Sequence, residues 1–436
     1  MPEVPRIQQW PRGPPNPLHH AADCGSFEAA ADLLASGAFD IDQGNKFGWT
    51  ALMMASSGGH SRIVRMLLNK GAQVLIANDL DATALHQSVL GGHLVVTKML
   101  AEAGAPLEAA TKEQLWTPLH FAANTGCAAS ITTLLEAGAN LNSRRSNGST
   151  PLHSAALKGN VAAVRLLLLA KADPLLTCTP DSPEHIFLPL DAAAEEGHAE
   201  VVHELIRQVG IDGCGGSSGG EHALRQAALS RHLDIMAILT NAGVVDTSGL
   251  ALRMAAGFGG EAPLQFLLEQ ARARKTMDLP AYVNAGEYCG TTPLLCAVQP
   301  HGRCSPRVVR LLVEAGADTT SAVVCSQPGE DGFSITPLGF TVCFLRHKIA
   351  GSGTSTKEQL RDLEAIRRLL LRVEAVHAAS WLWSSDVSTI AHATAKVTDR
   401  TTATSTAGTP PMLMMRRRTR GREIPLAALL RYSSKP

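Results

Sequence analysis

The densest group of residues that could do chemistry is Cys289, Cys296, His301 and Cys304, spaced C-x6-C-x4-H-x2-C. Zinc sites usually bring their thiolates as close pairs such as C-x2-C, which tightens the chelate. This run has no such pair, and Cys296 falls at an ordinary helix position, so unrelated thiols on an inserted loop are expected. The nine cysteines show no tight framework, and the proline-rich N-terminus, Met1 to Pro17, lacks the apolar core of a secretory signal. Reduced thiols in the cytoplasm or nucleus are therefore expected. Among the 16 histidines, His86, His120 and His153 recur in one setting, and His60, His93 and His198 in another. A residue repeated once per period suits a scaffold that bonds loop backbone and a neighbouring hydroxyl, whereas catalysis needs only one copy. The glycine run 213–220 lacks the Lys-Ser/Thr pair of a phosphate cradle, and no His-Glu-x-x-His pair occurs. No cofactor is expected.

The elements that position these residues are periodic. Thr117-Pro118-Leu119-His120 recurs as Thr150-Pro151-Leu152-His153, and the preceding threonines are Thr50 and Thr83, a period of 33 or 34 residues. In the unit begun by Thr150, the hydroxyl can cap a helix and Pro151 suits its first turn, where no N–H is required. Leu152, Ala155 and Ala156 make one apolar face. Gly159 ends this short helix, and a second follows with Val161, Val164, Leu167 and Leu168 at helical spacing. Asn147-Gly148 marks a turn before the next threonine.

The Thr-Pro-Leu-His-x-Ala-Ala unit at this period resembles the ankyrin repeat. The resemblance implies an all-α fold, an ankyrin-repeat α-solenoid of helix-turn-helix units with β-hairpin-like finger loops, and binding of a protein partner through a concave face. Roughly ten units are expected, beginning near Asn16, Thr50, Thr83, Thr117, Thr150, Leu188, His222, Leu250, Thr292 and Thr336. The first five are regular and the later ones decay. The organisation expected is a flexible segment at 1–15, regular repeats at 16–209, degenerate repeats with inserted loops at 210–383, and a disordered tail at 384–436. The glycine run 213–220 replaces one finger without breaking the stack. The last second helix is expected over Lys357 to Val376, with Leu360, Leu363, Ile366, Leu369 and Leu370 on one face.

Partner contacts are expected at positions the core does not need. Met54, Leu90 and Phe121 are apolar where an unbound solenoid should meet solvent, and Lys158 lies a turn further along a first helix. Trp49 and Trp116, each just before a threonine, either anchor a partner or pack on the adjacent finger. Arg144 and Arg145 sit on a fingertip. Equal numbers of basic and acidic residues, 39 of each, argue against direct nucleic-acid binding by bulk charge. No apolar stretch approaches the ~18 residues of a membrane span. The leading reading is an intracellular adaptor that acts as a monomer on a protein partner. The alternatives are an enzyme or metalloprotein in the degenerate half, and a ubiquitin-ligase substrate adaptor, since 424–430 resembles the close of a SOCS box. The basic cluster Arg416 to Arg422 is read as a solvated end or a targeting signal.

Overall fold

The computed structural model describes residues 16–179, 187–214, 216–274, 277–286, 291–298, 305–320, 323–325, 333–338, 341 and 357–384. The chain divides into two compact units, residues 1–245 and 246–436.

Among the described residues, the first unit has seven helical pairs in chain order. They are α1 (Pro17–Asp23) with α2 (Phe27–Ala35), α3 (Ala51–Ser57) with α4 (Ser61–Asn69), and α5 (Ala84–Leu90) with α6 (Leu94–Glu102). Next come α7 (Pro118–Thr125) with α8 (Ala128–Glu136) and α9 (Pro151–Leu157) with α10 (Val161–Leu169). The last two are α11 (Pro189–Glu196) with α12 (Ala199–Val209) and α13 (Gly216–Ser230) with α14 (Leu233–Asn241). First helices pack on first helices from α1 to α13, and second helices on second helices from α2 to α14. Helices this short are marginal alone in water, so their stability comes from the faces they bury. Leu134 of α8 and Leu167 of α10 are fully buried in that stack, as their spacing predicts.

Backbone hydrogen bonds tie each finger to the next: Asp79 N–H to Phe47 O at 3.2 Å, Lys112 to Leu80 at 3.1 Å, Ser146 to Gln114 at 3.2 Å and Thr179 to Asn147 at 2.9 Å. The fingers are thus held in register by main chain. On the other edge, Glu204 of α12 accepts from Arg165 of α10 as well as from Arg207 and Gln208 of its own helix.

The glycine run departs from its expected form. It opens α13 at Gly216, six residues before the start read at His222, and does not form a finger. A Cβ on Gly219 would strike the Cys214 carbonyl oxygen, and one on Gly220 would meet Val244 at 2.6 Å. Close backbone approach explains these glycines, not loop flexibility. The division between compact units falls after Val245, well past residue 209.

The second unit has α15 (Leu250–Met254), which runs into a wide turn at Ala255–Gly259, then α16 (Glu261–Ala273), α17 (Leu279–Val283), α18 (Pro293–Val298) and α19 (Pro306–Glu314). Two three-residue strands, β1 (Val323–Cys325) and β2 (Phe333–Ile335), pair antiparallel, and the last described element is α20 (Lys357–Ser384). Helix α18 packs on α15, α19 on α16, and α20 on α19. Leu363, Ile366 and Leu370 are the buried face of α20, which extends past Val376.

Candidate functional site

The threonine–histidine pairs come first, because they fix the face from which the fingers project. Thr83, Thr117 and Thr150 cap their helices, and in each case the histidine three residues on reaches back to the cap. Nδ1 of His86, His120 and His153 accepts the threonine backbone N–H at 3.1, 3.3 and 3.2 Å. The proton must then sit on Nε2, which donates to the carbonyl of the residue preceding the next cap: Trp116, Ser149 and Phe187, at 3.1, 3.1 and 3.2 Å. One neutral ring therefore closes its own helix and ties it to the following unit. Burial holds these rings in that form, lowering His86 to about 4, His120 to about 3 and His153 to about 4. His60, His93 and His198 bond the carbonyls of Asp23, Ser57 and Leu157 of the preceding unit. All six histidines are structural ties.

The unit begun by Leu188 lacks both members of the pair. Asp191 stands at the histidine position, and its Oδ2 accepts the Leu188 N–H at 2.8 Å. Its Oδ1 is buried with no partner. Burial raises this carboxyl to about 7, partly opposed by the Leu188 N–H and by Arg225. In the second unit Asp246 does the capping instead, accepting from Ala251 and Leu252 backbone and from the Tyr282 hydroxyl. Sequence inspection missed Asp246 because it precedes its helix by more than the usual interval.

Three of the residues read as exposed are core. Met54 is 1 % exposed, Phe121 0 % and Leu90 9 %. A helical side chain leans toward the N-terminus of its helix, so Met54 and Phe121, each fourth in its helix, lie over the turn before them, whereas Leu90 ends α5. The Phe121 ring stacks on Trp116 with centroids 4.9 Å apart and meets His86 of the preceding unit edge-on at 5.8 Å. Gln87 and Ser154, at the equivalent place, are buried too. Buried side chains cannot meet a partner, so Met54, Leu90 and Phe121 leave the candidate site. Trp49 and Trp116 are also buried and pack within the stack.

Arg144 and Lys158 are exposed, and Arg145 is half-buried. The Arg145 guanidinium lies 3.9 Å over the Trp116 ring. Gln114, which sequence inspection overlooked, clamps this group: its Oε1 accepts from Trp116 Nε1 at 2.8 Å and from Arg145 Nη2 at 2.7 Å. Burial lowers Arg145 to about 10. Arg144 Nη2 donates to the Thr177 carbonyl at 2.7 Å. Leu115, between Gln114 and Trp116, is 42 % exposed with a φ of 55°. The one signal in the sequence was the 34-residue interval from Thr83 to Thr117, which lengthens this finger.

Among the described residues, no group of three or more His, Cys, Asp or Glu could hold a metal ion, and no helix is long and apolar enough to cross a membrane. Cys296 is buried in α18. Cys289, His301 and Cys304 lie outside the described residues, as do the segment 424–430, the Arg416 to Arg422 cluster and all of 385–436.

Stacked helical pairs with fingers on one edge define a helical-repeat interaction protein. The chain contains ankyrin repeats: the family model for ankyrin repeats in three copies matches residues 18–111, 73–145 and 106–178, and the single ankyrin repeat matches 289–322. The second match contains the Cys289 to Cys304 run, so those cysteines belong to a repeat. The chain is 40% identical over 60 residues to the human (Homo sapiens) ankyrin repeat and SAM domain-containing protein 3, which is 14% of this chain and 9% of that protein. It is 32% identical over 210 residues to the tyrosine-protein kinase Shark of Drosophila melanogaster, 47% of this chain and 18% of that protein. It thus spans less than a fifth of either curated relative. The ankyrin repeat is a non-catalytic protein-interaction fold.

Proposed function

We propose that this chain is an adaptor that holds a protein partner against the finger edge of residues 16–245. One observation carries the reading. The fingers are fixed in register by main-chain bonds, while their charged tips are left outward: Lys46, Asp79, Lys112, Glu113 and Arg144 are all exposed. A rigid scaffold presenting variable side chains binds without a large ordering penalty. Lys158 is exposed at the C-terminal end of α9, beyond the finger on the same repeat.

The test is an affinity capture by the full chain, compared with the variants Arg144→Glu and Lys158→Glu. Both replace exposed residues, so the unfolding temperature should stay within about 0.5 kcal/mol of wild type in stability terms. Loss of the same captured protein in both variants is the expected outcome. Undiminished capture in both would place the partner elsewhere on the molecule and overturn the reading.

A further inference from the structure

We propose that the tips of the third and fourth fingers form a dock for an acidic peptide segment. The guanidinium edges of Arg145 and Arg144 would pair with a partner's Asp or Glu carboxylate, and Leu115 would take up an apolar side chain beside it. This rests on the adaptor reading and names the partner chemistry for one part of that edge.

The first observation is an uncompensated pair of cations. Among the described residues neither Arg144 nor Arg145 makes an ion pair. Their recorded acceptors are neutral, the Thr177 carbonyl and the Gln114 amide. Arg145 is half-buried against Trp116, and its Nε is buried with no partner. A desolvated guanidinium held flat by an aromatic face and an amide clamp is already oriented, and such a group binds a carboxylate through its free edge. Its preorganisation removes much of the rotamer cost that a free surface arginine would carry.

The second observation is independent and lies on the backbone. The left-handed position of each finger is Gly48 in the first, Asp81 in the second and Gly148 in the fourth, with φ of 75°, 58° and 80°. In the third it is Leu115, a γ-branched residue in a conformation that favours glycine, and it is 42 % exposed. Neither packing nor backbone ease explains a leucine there. Strain held at an exposed apolar tip is a pattern associated with binding sites. The two observations coincide in space, because Leu115 lies between the two residues that hold Arg145. The Ser146 N–H bond to the Gln114 carbonyl keeps both tips in register.

The surroundings choose among anions. Asp79, Asp81 and Glu113 are exposed on the second and third tips beside Lys112, so the fingers give no unbroken basic track for a polyanion. Each arginine keeps N–H donors beyond the bond it already makes, and these suit the two oxygens of a carboxylate. The occupant that fits is a short extended segment of a partner protein, with Asp or Glu within a residue or two of Leu, Ile or Phe.

The experiment offers the full chain an equimolar library of synthetic 12-residue peptides randomised over Asp, Glu, Lys, Ser, Gly, Leu and Phe, and reads the bound fraction. Wild type should enrich peptides with an acid next to an apolar residue by about tenfold or more, with enrichment falling as salt rises. Arg144→Gln and Arg145→Gln should each remove most of the acid preference. Arg144 is exposed, so Arg144→Gln should leave unfolding unchanged and keeps the test valid even if Arg145→Gln loosens Trp116. Leu115→Gly should relieve the left-handed strain, raise the unfolding temperature and lose only the apolar preference. Enrichment without acid preference, or acid preference unchanged in Arg144→Gln and Arg145→Gln, would overturn the dock. So would tighter binding of a 12-nucleotide single strand, or of phosphoserine versions of the same peptides, than of the acidic peptides themselves. Absence of any capture would also overturn it, while the partner-capture experiment above decides the adaptor reading separately.

Discussion

The units begun by Thr83, Thr117 and Thr150 and the unit begun by Leu188 close the same helix start with opposite chemistry. In the first three a neutral imidazole is fully bonded, one nitrogen to its own cap and the other to the next unit. In the fourth a buried carboxyl satisfies one oxygen and leaves the other bare. The comparison teaches that this repeat tolerates a change of group provided the backbone N–H at the cap is met. The bond to the next unit is the part given up. The two solutions also respond to pH in opposite senses. Histidines held below their usual 6.5 contribute stability that is complete above that value and lost as pH falls toward about 4. Asp191, raised from 3.8 to about 7, is protonated in the folded chain where the unfolded chain is ionised. Its contribution to stability therefore falls as pH rises from about 4 to about 7.

The largest expected effect lies beside this network. Phe121→Ala empties the space between Trp116 and His86, and calorimetry or urea unfolding should record a loss of about 3–5 kcal/mol from the first unit. A loss below about 1 kcal/mol would mean that the ring is not part of the core. Next is the histidine tie itself. His120→Ala removes the acceptor for the Thr117 N–H and the donor to Ser149, and a loss of about 2–3 kcal/mol at pH 7 is expected. The same variant should flatten the loss of stability between pH 6.5 and 4, and an unchanged acid limb would break the comparison on the histidine side.

Asp191→Asn sharpens the other side. It keeps an acceptor for the Leu188 N–H and removes the ionisation, so the decline in stability from pH 5 to 7, about 2 kcal/mol by linkage, should disappear. A decline of the same slope in the variant would show that Asp191 is ionised throughout. The smallest effect is expected at Lys158, where Lys158→Ala should alter unfolding by no more than about 0.5 kcal/mol.

Much of this was legible in order of residues. The Thr-Pro-Leu-His phase located the caps because capping, proline at the first turn and the reach of a histidine three residues on are local facts, settled within one turn of chain. The apolar faces of the second helices were equally local, and Leu134 and Leu167 are buried as their spacing demands. The glycine run misled because composition cannot separate a glycine that is free from one that is crowded. Gly219 and Gly220 are crowded by Cys214 and Val244.

What the sequence determined by itself, then, is the repeat: its period, its helix starts and the face each helix buries, all of which follow from interactions across three to eight residues. What only the tertiary structure decided is which side chains remain for a partner. Phe121 and Leu115 are both large and apolar, and no pattern in the chain distinguishes them. One is roofed by Trp116 and by His86 of another unit, and the other is turned outward by a left-handed backbone. Exposure depends on what the neighbouring unit places overhead, about 33 residues away in sequence, and that is fixed only when the units stack.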